Sequence, residues 1–177
     1  MKKILSITKV AALLALALAI TTPSHAGDLK AASGQAIQNF KLADPGLTRF
    51  FENSAGYAVL PSVGEGGFII GGQRGDGLVY HRGQVVGKVT MTEVSIGAQA
   101  GGGKFSEVIF FETNAALESF KSSEYKMSAA AKASVVASGV AANAKYEQGV
   151  AVFTLPKAGA MVAAAVGGQK FKFAPIQ

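Results

Sequence analysis

Beyond its first 26 residues the chain carries one histidine, His81, and no cysteine, so the chemistry open to it is narrow. Without a thiol there is neither a Cys-His nucleophile nor a disulfide framework, and a single imidazole cannot build a His/Cys metal cluster. A Ser-His-Asp triad through His81 would define a hydrolase, but no G-x-S-x-G elbow accompanies it. The carboxylates that could pair for acid–base work are Glu93, Glu107 and Glu112. Glu107 and Glu112 differ in strand parity and should face opposite sides of a sheet. We therefore expect these acids to be solvated charges at strand edges.

Glycine offers a second route to chemistry, because backbone N–H groups in a glycine loop can cradle phosphate. The stretch VGEGGFIIGGQRGDG, Val63 to Gly77, has seven glycines in fifteen residues. No frame in the chain completes either phosphate-binding pattern. At Gly103-Lys104 the Walker spacing meets Ala98 where its first glycine should stand and Phe105 where Ser or Thr should follow. The dinucleotide pattern G-x-G-x-x-G ends on Ile69, Tyr80 or Ser106 in its three candidate frames. Phe68, Ile69 and Ile70 amid the glycines read instead as strand, with Gly71-Gly72 and Gly75 to Gly77 as turns or sites of close backbone packing. No cofactor and no metal are expected, and the residues point to a protein that binds rather than catalyses.

The elements that would carry such binding follow from the pattern. Lys2, Lys3 and Lys9 precede the apolar run Val10 to Ile20, and Ser24 and Ala26 suit a signal peptidase. The expectation is a cleaved export signal over 1–26 and a single domain over 27–177, periplasmic or secreted. Removing those three lysines from seventeen basic residues leaves fourteen against eleven acids, a net charge of +3. That mild excess favours anionic surfaces without demanding nucleic acid.

From Asp28 to Lys41 the helical period gathers Leu29, Ser33, Ala36, Ile37 and Phe40 on one arc, with Lys30 and Lys41 at its edge. Pro45 permits a new start, with Leu47, Phe50 and Phe51 as a short apolar side. After Gly56 the period becomes that of strands rich in Val, Ile and Phe, with a hairpin turn at His81 to Gln84 and a looser turn at Gly101 to Lys104. One helix interrupts them, capped at Thr113 or Asn114 and burying Ala116, Leu117 and Phe120. The Ala-rich zone Ser128 to Lys145 is ambiguous between helix and strand: alanine favours helix, but Ser134, Val135, Val136, Ser138 and Gly139 count against one, and the reading leans to strand. IGGQ (Ile70 to Gln73), IGAQ (Ile96 to Gln99) and VGGQ (Val166 to Gln169) echo one another at unequal spacing, which suggests shared local geometry rather than a repeat architecture. The fold class expected is α+β: an antiparallel glycine-rich sheet or sandwich of about seven to nine strands, N-terminal helices and one inserted helix.

The successive blocks AGYAVLPSVGEGGFIIGGQRGDGLVY, VSIGAQAGGGKFSEVIFFETNAALESF, VASGVAANA and GVAVFTLPKAGAMVAAAVGGQKFKF resemble, in order, those of the SYLF lipid-binding domain family. The resemblance covers nearly all of 27–177. It implies a non-catalytic protein that binds anionic phospholipid membranes in the bacterial cell envelope through an amphipathic N-terminal helix and a basic surface. Val140 stands where eukaryotic members often have proline. An exported bacterial protein would not meet actin, so actin binding is not expected, and the residues leave the oligomeric state open.

The residues supply a mechanism of the same kind. Lys30 and Lys41 beside Leu29, Ile37 and Phe40 could lay their methylenes along a membrane boundary and keep their ammonium groups at phosphate depth. The competing expectation is that this apolar arc packs on the sheet. In QKFKF, Gln169 to Phe173, alternation puts Lys170 and Lys172 on one face as a candidate basic patch and Phe171 and Phe173 on the other. Other expectations compatible with the sequence are an envelope scaffold that binds protein and a small outer-membrane barrel, though the chain has no Trp for an aromatic girdle.

Overall fold

The computed structural model describes residues 25–65, 72–94, 104–122, 124–128, 131–157 and 168–176. The export signal through Ser24, the strand reading of Phe68 to Ile70, the turn at Gly101 to Gly103 and the apolar run from Gly159 to Val166 lie outside the described residues.

A tight hairpin organises the centre of the sheet. Arg82 and Gly83 both take positive φ, 51° and 75°, the pairing that lets a two-residue turn follow the right-handed twist of its strands. This turn joins β2 (Gly72–His81) to β3 (Gln84–Val94). β1 (Gly56–Glu65) pairs antiparallel with β2 on one side and with β4 (Phe105–Phe111) on the other. With β5 (Tyr125–Lys126), β6 (Ser134–Val135), β7 (Val150–Pro156) and β8 (Lys170–Pro175), the order is β5-β8-β3-β2-β1-β4-β7-β6. Every pairing is antiparallel except the short β6–β7 contact. The protein is thus α+β, with an eight-stranded, mostly antiparallel sheet curled into a half-barrel.

Curling needs close approach between strands, and glycine allows it. A Cβ on Gly75 would lie 2.7 Å from Cγ2 of Val63, and one on Gly77 would strike the Val59 carbonyl oxygen. The Gly75 to Gly77 stretch is therefore a close-packing site on the inner face. A side chain on Gly87 would collide with the Phe173 ring, which covers that glycine from the neighbouring strand.

Two apolar layers result. Inside the curl, Leu60, Val79, Met91, Ile109 and Phe111 pack with Leu117 and Phe120 of α3 (Asn114–Lys121). The helix starts where expected, the Thr113 hydroxyl accepting from Ala116 N–H at 3.2 Å. Outside, α1 (His25–Ala43), the 3₁₀ turn Pro45–Leu47 and α2 (Thr48–Asn53) cover Tyr57, Val59, Leu78, Val108 and Phe110. The arc expected on the first helix faces this layer: Ser33, Ala36 and Phe40 are buried, and Leu29 and Ile37 pack against it.

The strand reading of Ser128 to Lys145 is corrected. Among the described residues of that zone only Ser134–Val135 pair as strand, and Val140–Asn143 form a single helical turn, α4. Gly139 sits at φ 84° before that turn. Asp44, 97 positions away, anchors it by accepting from Ala141 N–H at 2.7 Å and from Gly46 N–H at 3.0 Å. Burial pushes the Asp44 carboxyl up, but backbone N–H donors from Ala141, Gly46, Gly139 and Val140 outweigh this and hold it below the ordinary value. No local propensity describes such an element, because its partner is remote in sequence.

Candidate functional site

Strand alternation and register assemble the first candidate surface. Phe171 and Phe173 join the inner layer, so Lys170 and Lys172 point outward, and both are exposed. Register extends the patch sideways: Lys126 stands opposite Lys170, Thr92 opposite Lys170 on the other side, and Arg74 opposite Thr92. One step along, Lys172 faces Thr90, and Thr90 faces Asp76. Lys88 lies on the same face of β3. The outward face of β5, β8, β3 and β2 thus presents Lys126, Lys170, Lys172, Lys88 and Arg74 around the single carboxylate of Asp76, all six exposed. Asp76 is already engaged, by the Thr90 hydroxyl at 2.7 Å and the Arg74 guanidinium at 3.5 Å.

One feature of the register suits this face to an anionic partner. Like charges directly opposite on adjacent strands destabilise a sheet, and Lys126 against Lys170 is such a pair. A bound anion would relieve that repulsion. The amino-terminal turns of α1 border the face, where Asp28, Leu29 and Ala32 form a groove of about 530 Å³ with Arg74, Asp76, Lys88 and Thr90, and there the two cations are matched by two carboxylates.

The N-terminal helix presents its residues differently from the membrane-inserting expectation. Phe40 is fully buried, and Leu29 and Ile37 belong to the helix–sheet contact, so these side chains are core rather than a lipid-facing stripe. Lys41 is half-buried with its ammonium 5.1 Å from the centre of the Phe51 ring, a cation–π contact within the fold. Lys30 is exposed. The large apolar side chain that α1 exposes is Leu42, at 79%. Among the described residues, no helix is long and apolar enough to cross a membrane.

A second cluster lies inside the curl, and it overturns the expectation that the carboxylates are solvated. Glu107 is completely buried, with Leu60 opposite it on β1 and Thr154 opposite it on β7. Its Oε2 accepts from the Gln169 side-chain amide at 3.0 Å. Burial, with Glu93 adding repulsion and Gln169 opposing both, pushes the carboxyl up to about 7. Glu93 is half-buried and likewise raised by burial, while its hydrogen bond from Gln169 works the other way. Glu112 is exposed, as expected. His81 closes β2 beside the hairpin turn, and its buried Nε2 has no hydrogen-bond partner among the described residues.

Sequence reasoning singled out Lys170 and Lys172 but missed Lys126, Lys88 and Arg74, because strand order, not spacing, brings them together. The buried acid left a clearer signal: Glu107 interrupts FSEVIFF, a strand whose every residue is buried. The GGQ echo was a second one, since Gln73 stands opposite Glu93 on β2 while Gln169 follows it on the β8 side. Gln99, in the remaining copy, lies outside the described residues. No protein-family model matches the chain, and no curated protein matches it.

Proposed function

We propose that the protein binds anionic phospholipid surfaces without catalysis, docking through the outward face of β5, β8, β3 and β2. The observation that carries this reading is the excess of exposed cations on the outward strand face, five to one carboxylate among the described residues, with Asp28 of α1 at its border. Each Lys or Arg held near an anionic bilayer contributes about 1 kcal/mol, so the net charge of this face is enough for reversible attachment without an inserted anchor. The resemblance of the sequence blocks to SYLF lipid-binding domains supports the same function. It fits an exported protein of the cell envelope.

We put the proposed contact on the sheet rather than on the helix arc, because Phe40 is buried and Leu29 and Ile37 pack against the sheet. Using Phe40, Ile37 and Leu29 for insertion would require α1 to leave the layer it buries, at a cost of several kcal/mol. A small outer-membrane barrel needs an outward apolar band, whereas the outward face here carries helices on one part and charges on the other. An envelope scaffold remains the second reading, since a cationic face also suits an acidic protein.

Sedimentation of the 27–177 chain with vesicles tests the proposal. Binding should require anionic headgroups and should weaken as salt rises towards 0.15 M, where screening acts over about 8 Å. Equal binding to neutral and anionic vesicles at all salt concentrations would overturn it, and capture by a protein partner that survives lipid removal would favour the scaffold.

A further inference from the structure

β8 and β4 are four positions apart in the sheet, with β3, β2 and β1 between them. In a flat sheet their backbones would lie ~19 Å apart, beyond the combined reach of a Gln and a Glu side chain. The 3.0 Å bond from Gln169 to Glu107 therefore spans the interior of the curl and ties one wall to the other. It is the polar counterpart of an apolar tie nearer α3, where Phe120 contacts Phe111 at 4.7 Å and Phe171 at 5.2 Å between ring centres.

The polar tie is incompletely hydrogen-bonded. Glu107 Oε1, Gln169 Oε1 and Thr154 Oγ1 are all buried and have no partner among the described residues. If Glu107 is ionised, both its oxygens and the Gln169 carbonyl can only accept, which leaves the cluster short of donors and holds an uncompensated charge in the core. A proton on Glu107 removes the charge and adds a donor to the cluster. Among the described residues the surroundings provide no cation instead. The inward groups are Phe105 and Ile109 on β4, Leu60 and Val63 on β1, Val152 and Thr154 on β7, Met91 and Glu93 on β3, and Gln169 and Phe171 at β8. Among these described groups the only other titratable one is Glu93, an acid.

We propose that buried Glu107 is a proton-dependent latch: the β4 and β8 walls close over it while it holds a proton, and loss of that proton, against the neighbouring Glu93 and despite the Gln169 donor, loosens this end of the half-barrel. The latch is independent of the membrane reading. Its direction follows from linkage. The closed form binds the proton more tightly than the open one, so closure is strongest in acid and weakens as pH rises from the ordinary glutamate range towards neutrality.

Carbon-13 NMR of the side-chain carboxyls in the wild-type chain tests the proton site directly. The Glu107 midpoint should fall near neutrality, move down in Glu93→Gln, and move up in Gln169→Ala, where a donor to the carboxylate is lost. Amide exchange along Lys170–Pro175, corrected for intrinsic rates, tests the latch. The opening equilibrium should rise by up to roughly 70-fold between about pH 5 and about pH 8, levelling off above the midpoint, and stay flat in Glu107→Gln, which is isosteric and cannot ionise. A wild-type Glu107 midpoint in the ordinary carboxylate range would overturn the proposal, and that measurement needs no variant to fold. So would β8 exchange with the same pH dependence in wild type and Glu107→Gln.

Discussion

Reversing two charges on the cationic face gives the sharpest test of the docking surface. Lys170→Glu with Lys172→Glu converts the face from five cations and one carboxylate to three of each, a change of four charges. At about 1 kcal/mol per charge near an anionic surface the loss is about 4 kcal/mol, or roughly a thousandfold in vesicle affinity. The neutral pair Lys170→Gln with Lys172→Gln should lose about half that free energy, roughly thirtyfold. Folding should hardly notice, because both side chains are exposed and such substitutions usually change stability by less than about 0.5 kcal/mol. Reversal at position 170 would even replace the Lys126–Lys170 repulsion with an attraction. The control is Lys145→Glu with Lys157→Glu, which alters total charge equally at exposed sites outside these four strands. Vesicle sedimentation at low and physiological salt, with thermal melting of each variant, decides the matter. Wild-type affinity in the Lys170/Lys172 reversal, or an equal loss in the control, would refute a localised docking face.

Four further outcomes follow from the packing. Phe40→Ala should cost about 3–5 kcal/mol, read by thermal or urea denaturation, because a fully buried ring is removed from the helix–sheet layer; an unchanged midpoint would mean that α1 does not pack there. The unfolded chain binds the Glu107 proton at an ordinary value of 4.5 and the folded one at about 7. Stability should therefore decline as pH rises through that window, by up to about 3 kcal/mol, and Glu107→Gln should flatten the decline. Asp44→Ala should destabilise by about 2–3 kcal/mol on denaturant melting, since two backbone N–H groups lose a charged acceptor that joins Pro45–Leu47 to α4. Gly77→Ala should cost about 1–3 kcal/mol by the same measurement, because the added methyl meets the Val59 carbonyl.

What the sequence determined by itself was whatever local physics controls. The period of 3.6 in Leu29, Ala36, Ile37 and Phe40 placed α1 and the side it buries, and Thr113 marked the start of α3. Arg82-Gly83 marked the hairpin, and alternation in KFKF put the lysines opposite the phenylalanines before any partner strand was known. The class and the strand number followed, because each of these signals lies within a dozen residues. The tertiary structure alone decided the rest. Which layer receives the α1 arc depends on where the chain returns, and it returns as β1 and β2, which makes Phe40 core rather than membrane contact. Lys126, Lys170 and Arg74 are 44 and 96 positions apart along the chain, and only the order β5-β8-β3-β2 sets them in one row. Glu107 read alone resembles any strand-edge acid; it became a buried proton site only because curling brings Gln169, 62 residues later, across the interior to meet it. Long-range pairing sets the neighbours of a side chain, and neighbours set its solvation, its charge and its chemistry.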